Sequence, residues 1–191
     1  MKPVDLQDKK AWCAWGDSAE SEFLEKVAPM HGFDLMQHPD KERNVYATDF
    51  QGKFLSQKTG MNMTLDIDLK RVTTPFFKSR LYGYEPNHTV TLNHKDYLRY
   101  RNKYPDWGNA DMCIMFWVTW GEQERYGTSV KSKNGVWSLR LNLLDSWVKN
   151  GRARCHEYRE RKGGNGSNAP SSWLIDLRLC RRHYPQKELM K

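Results

Sequence analysis

The sequence has no apolar run near the roughly 18 residues that a membrane span requires. Its first residues, MKPVDLQDKKAW, also lack the apolar stretch of a secretory signal. It has only four cysteines in 191 residues, and they are scattered at Cys13, Cys113, Cys155 and Cys180. This spacing does not predict a small scaffold held by disulfides. We therefore expect a soluble, cytoplasmic protein with free thiols and no membrane partner.

Three common catalytic or nucleotide-binding signatures are also missing. The chain contains no GxxxxGK[ST] loop, no GxGxxG fingerprint and no GxSxG elbow. These absences argue against a nucleotide-driven motor, a dinucleotide enzyme and a serine hydrolase of the elbow type.

Positive charge and aromatic residues are abundant instead. Lys and Arg number 31 against 23 Asp and Glu, which gives a formal net charge of +8. Aromatic residues make up 13% of the chain, which excludes a disordered basic tail. The charge favours an anionic partner such as nucleic acid.

The length predicts one domain over residues 1–191, and the pattern predicts an α/β fold with a mixed sheet flanked by helices. Asp17 and Glu20 resemble a capping box at the start of a helix that ends at Pro29. Polar or glycine-rich segments at 51–62, 122–134 and 162–171 are expected to be loops. The expected strands are 32–36, 44–50, 63–72, 88–92, 112–120, and a hairpin of 154–159 with 172–179; the other expected helices are 94–104 and 138–149.

The segment MTLDIDLKRV alternates cleanly between apolar and charged residues. Leu65, Ile67 and Leu69 form one strand face, and Asp66, Asp68 and Lys70 form the other. The charged face is either a solvated surface or part of a site. A site needs partners: Asp49 if residues 44–50 pair with this strand, and Glu20 from the inward face of the first helix.

Carboxylates beside a lysine suit metal-assisted hydrolysis of a phosphodiester. Mg²⁺ prefers hard oxygen ligands, and a bound metal lowers the pKa of its water. A neighbouring lysine can hold or deprotonate that water, or stabilise the developing oxyanion.

The order of these residues resembles the PD-(D/E)XK nuclease superfamily, which has the restriction-endonuclease-like fold. The matching pieces are Glu20, Asp49 and Asp68-Leu69-Lys70, with Thr48 where the family name has proline. The resemblance covers about residues 17–120, which it assigns to the core. Residues 121–191 have no match to the minimal core, so we expect a C-terminal elaboration of a helix and a hairpin.

The resemblance implies a role for each matched residue. Asp49 and Asp68 would be metal ligands, Glu20 an accessory ligand and Lys70 the catalytic lysine, with Mg²⁺ or Mn²⁺ as cofactor. Asp66 competes for a ligand role, and Asp34 competes with Asp49.

Basic side chains predict where nucleic acid would bind. Lys95, Arg99 and Lys103 recur at helical spacing along one face. Arg159, Arg161 and Lys162 flank the glycine-rich loop, where they could clamp phosphate groups. Each set is alternatively an ordinary solvated face. Cys155, His156, Cys180 and His183 offer zinc ligands, but their spacing does not match a zinc finger.

Together these features predict a Mg²⁺-dependent endonuclease that cleaves DNA, with RNA as the alternative substrate. By analogy with other small nucleases, a homodimer is expected. The alternatives are a non-catalytic nucleic-acid-binding protein of the same fold and a regulatory protein that binds a host enzyme.

Overall fold

A six-stranded mixed sheet is the centre of the computed structural model, which describes residues 9–44, 46–55, 60, 62–104, 112–158 and 170–186. The helices are α1 Lys9–Glu22, which continues through a π-helical turn Phe23–Val27 into α2 Ala28–Met30, then α3 His94–Lys103 and α4 Leu141–Lys149. The strands are β1 Asp34–Gln37, β2 Phe50–Leu55, β3 Asn62–Val72, β4 Thr89–Asn93, β5 Met112–Trp120, β6 Gln123–Arg125, β7 Thr128–Val130, β8 Lys133–Arg140, β9 Cys155–Glu157, β10 Ser171–Asp176 and β11 Arg181–His183.

The strand order of the central sheet is β1-β2-β3-β5-β8-β11. Strands β3 and β5 are parallel, and every other neighbouring pair is antiparallel. The connection between β3 and β5 contains β4 and α3, and β4 joins β10 and β9 in a second sheet. The predicted α/β class with a mixed central sheet flanked by helices is therefore confirmed.

The two faces of the central sheet carry two apolar cores. On one face, Leu65, Ile67 and Leu69 of β3 pack against Phe23, which has no exposed surface. On the other face, α3, α4 and the second sheet, which contains β4 and β10, cover the alternate residues of β5 and β8. Strand β5 is buried on both faces, as its nearly continuous apolar sequence predicts.

The prediction of a strand at 44–50 is wrong in its position. Residues 40–43 and 46–47 lie in turns and bends, and the amides of Arg43 and Asn44 both donate to the carbonyl of Asp40. The strand begins at Phe50 and uses residues that were expected to be a loop. Gly52 makes this possible, because a Cβ there would lie 2.6 Å from the side chain of Leu35.

Two helix boundaries also differ from the sequence prediction. Helix α1 begins by Lys9, so Asp17 lies inside the helix rather than at its cap. Tertiary packing supports this longer helix, since Trp15 stacks on the guanidinium of Arg71 at 5.5 Å. The predicted helix at 138–149 begins only at Leu141, because the residues before it pair with β5 and β11.

The described residues in the last third of the chain contribute strands to the central sheet and to the second sheet. Strands β8 and β11 belong to the central sheet, and β9 and β10 pair as the predicted hairpin arms. The expected loop at 122–134 contains the hairpin β6–β7, whose turn has positive φ at Tyr126 and Gly127. We propose that the whole chain is one domain. Within the described residues, no helix is long and apolar enough to cross a membrane.

Candidate active site

The register of β2 and β3 brings Asp49 beside Asp68. Phe50 pairs with Ile67, so the next residues outward, Asp49 and Asp68, face each other on the opposite side of the sheet from Phe50. The Asp49 carboxylate accepts a hydrogen bond from the amide of Leu69 at 2.7 Å. Both residues are buried, with exposed fractions of 9% for Asp49 and 3% for Asp68. Two acidic groups therefore share one buried region of the sheet.

Glu20 joins this region through Lys41. The Lys41 ammonium donates to Glu20 at 2.5 Å and also to Asp49. Glu20 comes from α1 and Lys41 from the turn after β1, so the contact ties the first helix to the start of β2. Sequence analysis missed Lys41, because it lies in the polar segment PDKER and no periodicity distinguishes it from its neighbours.

Asp68 has two cationic neighbours of its own. The Lys70 ammonium lies 2.7 Å from Asp68 and 2.8 Å from Asp96 of α3. The Arg99 guanidinium lies 3.3 Å from Asp68 and 3.7 Å from Asp96. Helix α3 therefore provides a cation and a carboxylate to the charged face of β3.

The protonation equilibria of Glu20 and Asp49 are strongly perturbed. Burial and the charge of Asp49 raise the pKa of Glu20 to about 7, against the opposing effect of Lys41. Burial and the charge of Asp68 raise the pKa of Asp49, although Lys41 and the Leu69 amide oppose the change. Both carboxylates therefore lack full charge compensation.

Lys70 is perturbed in the opposite sense. Burial disfavours its charged form, but Asp68, Tyr100 and Asp96 outweigh burial and raise the pKa of Lys70 well above its ordinary value. Lys70 is thus a permanent cation at neutral pH. This direction favours the charge-stabilising role of Lys70 over the general-base role considered from the sequence.

Asp66, the competing carboxylate on the same face, has a separate set of partners. It accepts hydrogen bonds from Gln51 at 2.9 Å, from Lys103 at 3.3 Å and from the Tyr104 hydroxyl. Burial disfavours its ionised form, but Tyr104, Gln51 and Lys103 outweigh burial and lower the pKa of Asp66. Its charge is already compensated by the protein.

Of the other candidate residues, one lies apart from the site, three lie on α3 beside it, and three are not described. Asp34, the competitor of Asp49, is exposed on edge strand β1 opposite Lys53. Lys95, Arg99 and Lys103 line one groove along α3. Arg159, Arg161 and Lys162 lie outside the described residues.

The two cysteine–histidine pairs have other partners. The His156 ring pairs with the Tyr82 hydroxyl at 2.8 Å, and the His183 ring pairs with Ser138 at 2.7 Å. Among the described residues, no group of three or more His, Cys, Asp and Glu side chains is arranged as a metal centre. These pairs therefore give no support to the zinc alternative.

Glu20, Asp49 and Asp68 nevertheless fit a divalent cation in their chemistry. They are hard oxygen donors, and two of them have pKa values raised by burial and by a neighbouring carboxylate. A bound cation would compensate these charges. At present Lys41 supplies the positive charge between Glu20 and Asp49, so a metal held by both would take over its role.

No protein-family profile matches the chain, and no curated protein is similar to it in sequence. Among solved structures, a nuclease from a fusselovirus is similar with a TM-score of 0.40 and 9% sequence identity. The similarity covers 95% of this chain and 89% of the other. It is too distant to carry an inference about activity, so a functional assignment depends on the site itself.

Proposed function

We propose that this protein is a metal-dependent endonuclease that hydrolyses phosphodiester bonds in DNA. One observation carries the proposal: buried Asp49 and Asp68 lie together with Lys70 on one face of the sheet, and Glu20 of α1 joins Asp49 through Lys41. A buried acid with a raised pKa in a cluster of charged groups is typical of functional sites, and Asp49 is such an acid. The PD-(D/E)XK resemblance supports the same chemistry.

In this proposal Asp49 and Asp68 hold Mg²⁺ or Mn²⁺, and Glu20 assists. When bound, the metal lowers the pKa of a coordinated water and neutralises charge on the phosphate. The Leu69 amide orients the Asp49 carboxylate through its hydrogen bond of 2.7 Å. Helix α1 fixes the position of Glu20, because Ala19 and Phe23 near it are buried against the sheet.

Lys70 stabilises negative charge in this mechanism and does not remove a proton. Its raised pKa keeps it charged, and contacts with Asp68 and Asp96 hold its ammonium in place. A preorganised cation of this kind favours the transition state, in which negative charge develops on the phosphoryl oxygens. Arg99, also paired with Asp68, is a second cation at the same position.

The basic face of α3 leads to this site and supports a nucleic-acid substrate. Lys95 is exposed, and the partly exposed side chain of Lys103 lies near Asp66. Such cations bind phosphates without reading sequence. We propose that the DNA backbone follows this helix into the site, and that two copies of the chain act together on two strands.

The direct test is incubation of the purified protein with supercoiled plasmid and Mg²⁺ or Mn²⁺. We expect nicked or linear products with metal, none with EDTA, and none from Lys70→Ala. The matched control is Lys131→Ala, because Lys131 is exposed in the loop between β7 and β8.

DNA affinity is measured in EDTA over a range of salt concentrations, so that lost catalysis is separated from lost binding. Lys70→Ala should keep the affinity of the parent protein. If the parent protein with either metal leaves plasmid, single-stranded DNA and RNA uncut, the nuclease proposal is wrong.

A non-catalytic nucleic-acid-binding protein is the second candidate. It is favoured by the cationic partners that each site carboxylate already has: Lys41 for Glu20 and Asp49, and Lys70 with Arg99 for Asp68. In that case the cluster is a structural ion network. Salt-dependent binding without cleavage would identify this function.

A further inference from the structure

An open groove of about 640 Å³ runs beside α3, and its lining differs from that of a simple phosphate track. It combines an aromatic and an apolar side chain, Tyr46 and Leu98, with cations and carboxamides. Tyr46 is 66% exposed and Leu98 is 46% exposed. We call it the α3 groove; its lining also includes Lys95, Arg99, Lys103, Asn44 and Asn102.

The α3 groove borders the candidate active site directly. Arg99, which lines the groove, contacts Asp68 at 3.3 Å. Lys103, also in its wall, contacts Asp66 at 3.3 Å. A strand bound in the groove would therefore pass next to the carboxylates of β3.

Two hydrogen bonds accepted by Asn44 hold the turn that presents Tyr46. The Asn44 carboxamide oxygen accepts the amide of Tyr46 at 2.9 Å, and the Asn44 carbonyl accepts the amide of Ala47 at 2.9 Å. Ala47, Thr48 and Asp49 are buried immediately after it. The exposed ring thus belongs to a well-bonded turn three residues before a proposed metal ligand.

We propose that the α3 groove binds unpaired bases, so that the substrate is single-stranded nucleic acid or a duplex with a single-stranded segment. Lysines alone suffice for phosphate contacts along an intact duplex, in which base faces are covered by stacking. Aromatic rings between cations are typical of single-strand grooves, where bases stack on the rings. The Nδ2 group of Asn44, whose oxygen already accepts the Tyr46 amide, and the carboxamide of Asn102 add hydrogen-bonding groups for base edges.

This substrate assignment rests on the proposed nuclease function, whereas the binding preference does not. Binding is therefore measured in EDTA, by fluorescence anisotropy with a labelled 15-nucleotide DNA strand, the RNA strand of the same sequence and the DNA duplex. We expect tighter binding of at least one single strand than of the duplex. The tighter of the two strands identifies the natural class of substrate.

Tyr46→Ala should weaken single-strand binding about 5- to 100-fold, which is the range for losing one stacked base. Its effect on duplex binding should stay within about 2-fold, and Tyr46→Phe should retain single-strand binding. The matched control is Tyr126→Ala, because Tyr126 is 77% exposed in the β6–β7 turn.

Equal losses for strand and duplex, or no loss for Tyr46→Ala, would overturn the proposal. A single-strand preference in a protein that never cleaves would support the binding preference of the groove, and it would refute the nuclease function and with it the substrate assignment.

Discussion

The two faces of strand β3 differ in polarity: one is apolar and packs in a core, and the other is charged and belongs to the candidate site. One face presents Leu65, Ile67 and Leu69 to the core beneath α1. The other presents Asp66, Asp68 and Lys70 among charged partners from other elements. Because side chains alternate along a strand, one segment supplies both stability and the candidate chemistry. Substitutions on the first face should change stability, and those on the second should change activity.

The charged face itself contains two kinds of carboxylate. Partners from the protein lower the pKa of Asp66, whereas burial and a neighbouring acid raise the pKa of Asp49. The first is a satisfied structural group, and the second gains most from an added cation. We therefore propose Asp49 as a metal ligand and not Asp66, which the sequence had left open as a competitor for a ligand role.

The largest expected effect is a loss of stability on substituting Phe23, which packs against the apolar face of β3. Phe23 is fully buried and its ring lies 6.0 Å from that of Phe50 and 5.7 Å from that of Trp117. Phe23→Ala should lower the free energy of unfolding by about 3–5 kcal/mol, measured by urea denaturation. Leu81→Ala, at a 79% exposed position, should change it by less than about 0.5 kcal/mol. Similar losses in both variants would contradict the assigned burial.

The second-largest expected effect is on the cleavage rate, and it distinguishes two acids on the charged face of β3. Asp68→Asn should reduce the cleavage rate by about 100-fold or more, the scale for losing one electrostatic group of a catalytic site. Asp66→Asn should retain most of the rate, because Asp66 is bonded to Gln51 and Tyr104. Single-turnover plasmid cleavage measures both variants. Equal losses would mean that Asp66 also belongs to the site.

The smallest effect is on the pH dependence of stability. The pKa of Glu20 is raised to about 7 in the folded protein, from an ordinary value of 4.5. The folded state therefore binds the extra proton, and stability is lost as pH rises from about 4.5 through 7. Glu20→Gln should remove this loss and raise the Tm at pH 8 by about 2–4 °C.

Mg²⁺ added to the parent protein should reduce the same pH dependence, because a cation favours the ionised carboxylate. Calorimetry at several pH values measures both effects. A lower Tm for Glu20→Gln at pH 8 would contradict this prediction. It would mean that the contact between Glu20 and Lys41 stabilises the fold by more than the ionisation of the buried Glu20 carboxyl group costs.

Several elements could be predicted because their sequence pattern is local. The alternation in 63–72 gives β3 and its two faces, and the continuous apolar run gives β5. The helix predicted after Asn93 is also present, as α3. The side chain of Asn93 does not cap this helix, because it accepts a hydrogen bond from Ser172 instead. The sequence pattern gave the wrong structure where tertiary contacts override local propensity. Gly52 lies in a strand instead of a loop, and residues 138–140 lie in a strand instead of a helix.

The sequence alone determined the class of the fold, the charged face of β3 and the four residues that resemble a nuclease motif. These depend on the order and spacing of residues along the chain, which local periodicity makes visible. Only the tertiary structure decided that Lys41 bridges Glu20 and Asp49, that Lys70 is held between Asp68 and Asp96, and that Tyr46 faces α3. Such contacts join residues that are distant in sequence, and their energies depend on burial and on neighbouring charge, which only the folded chain defines.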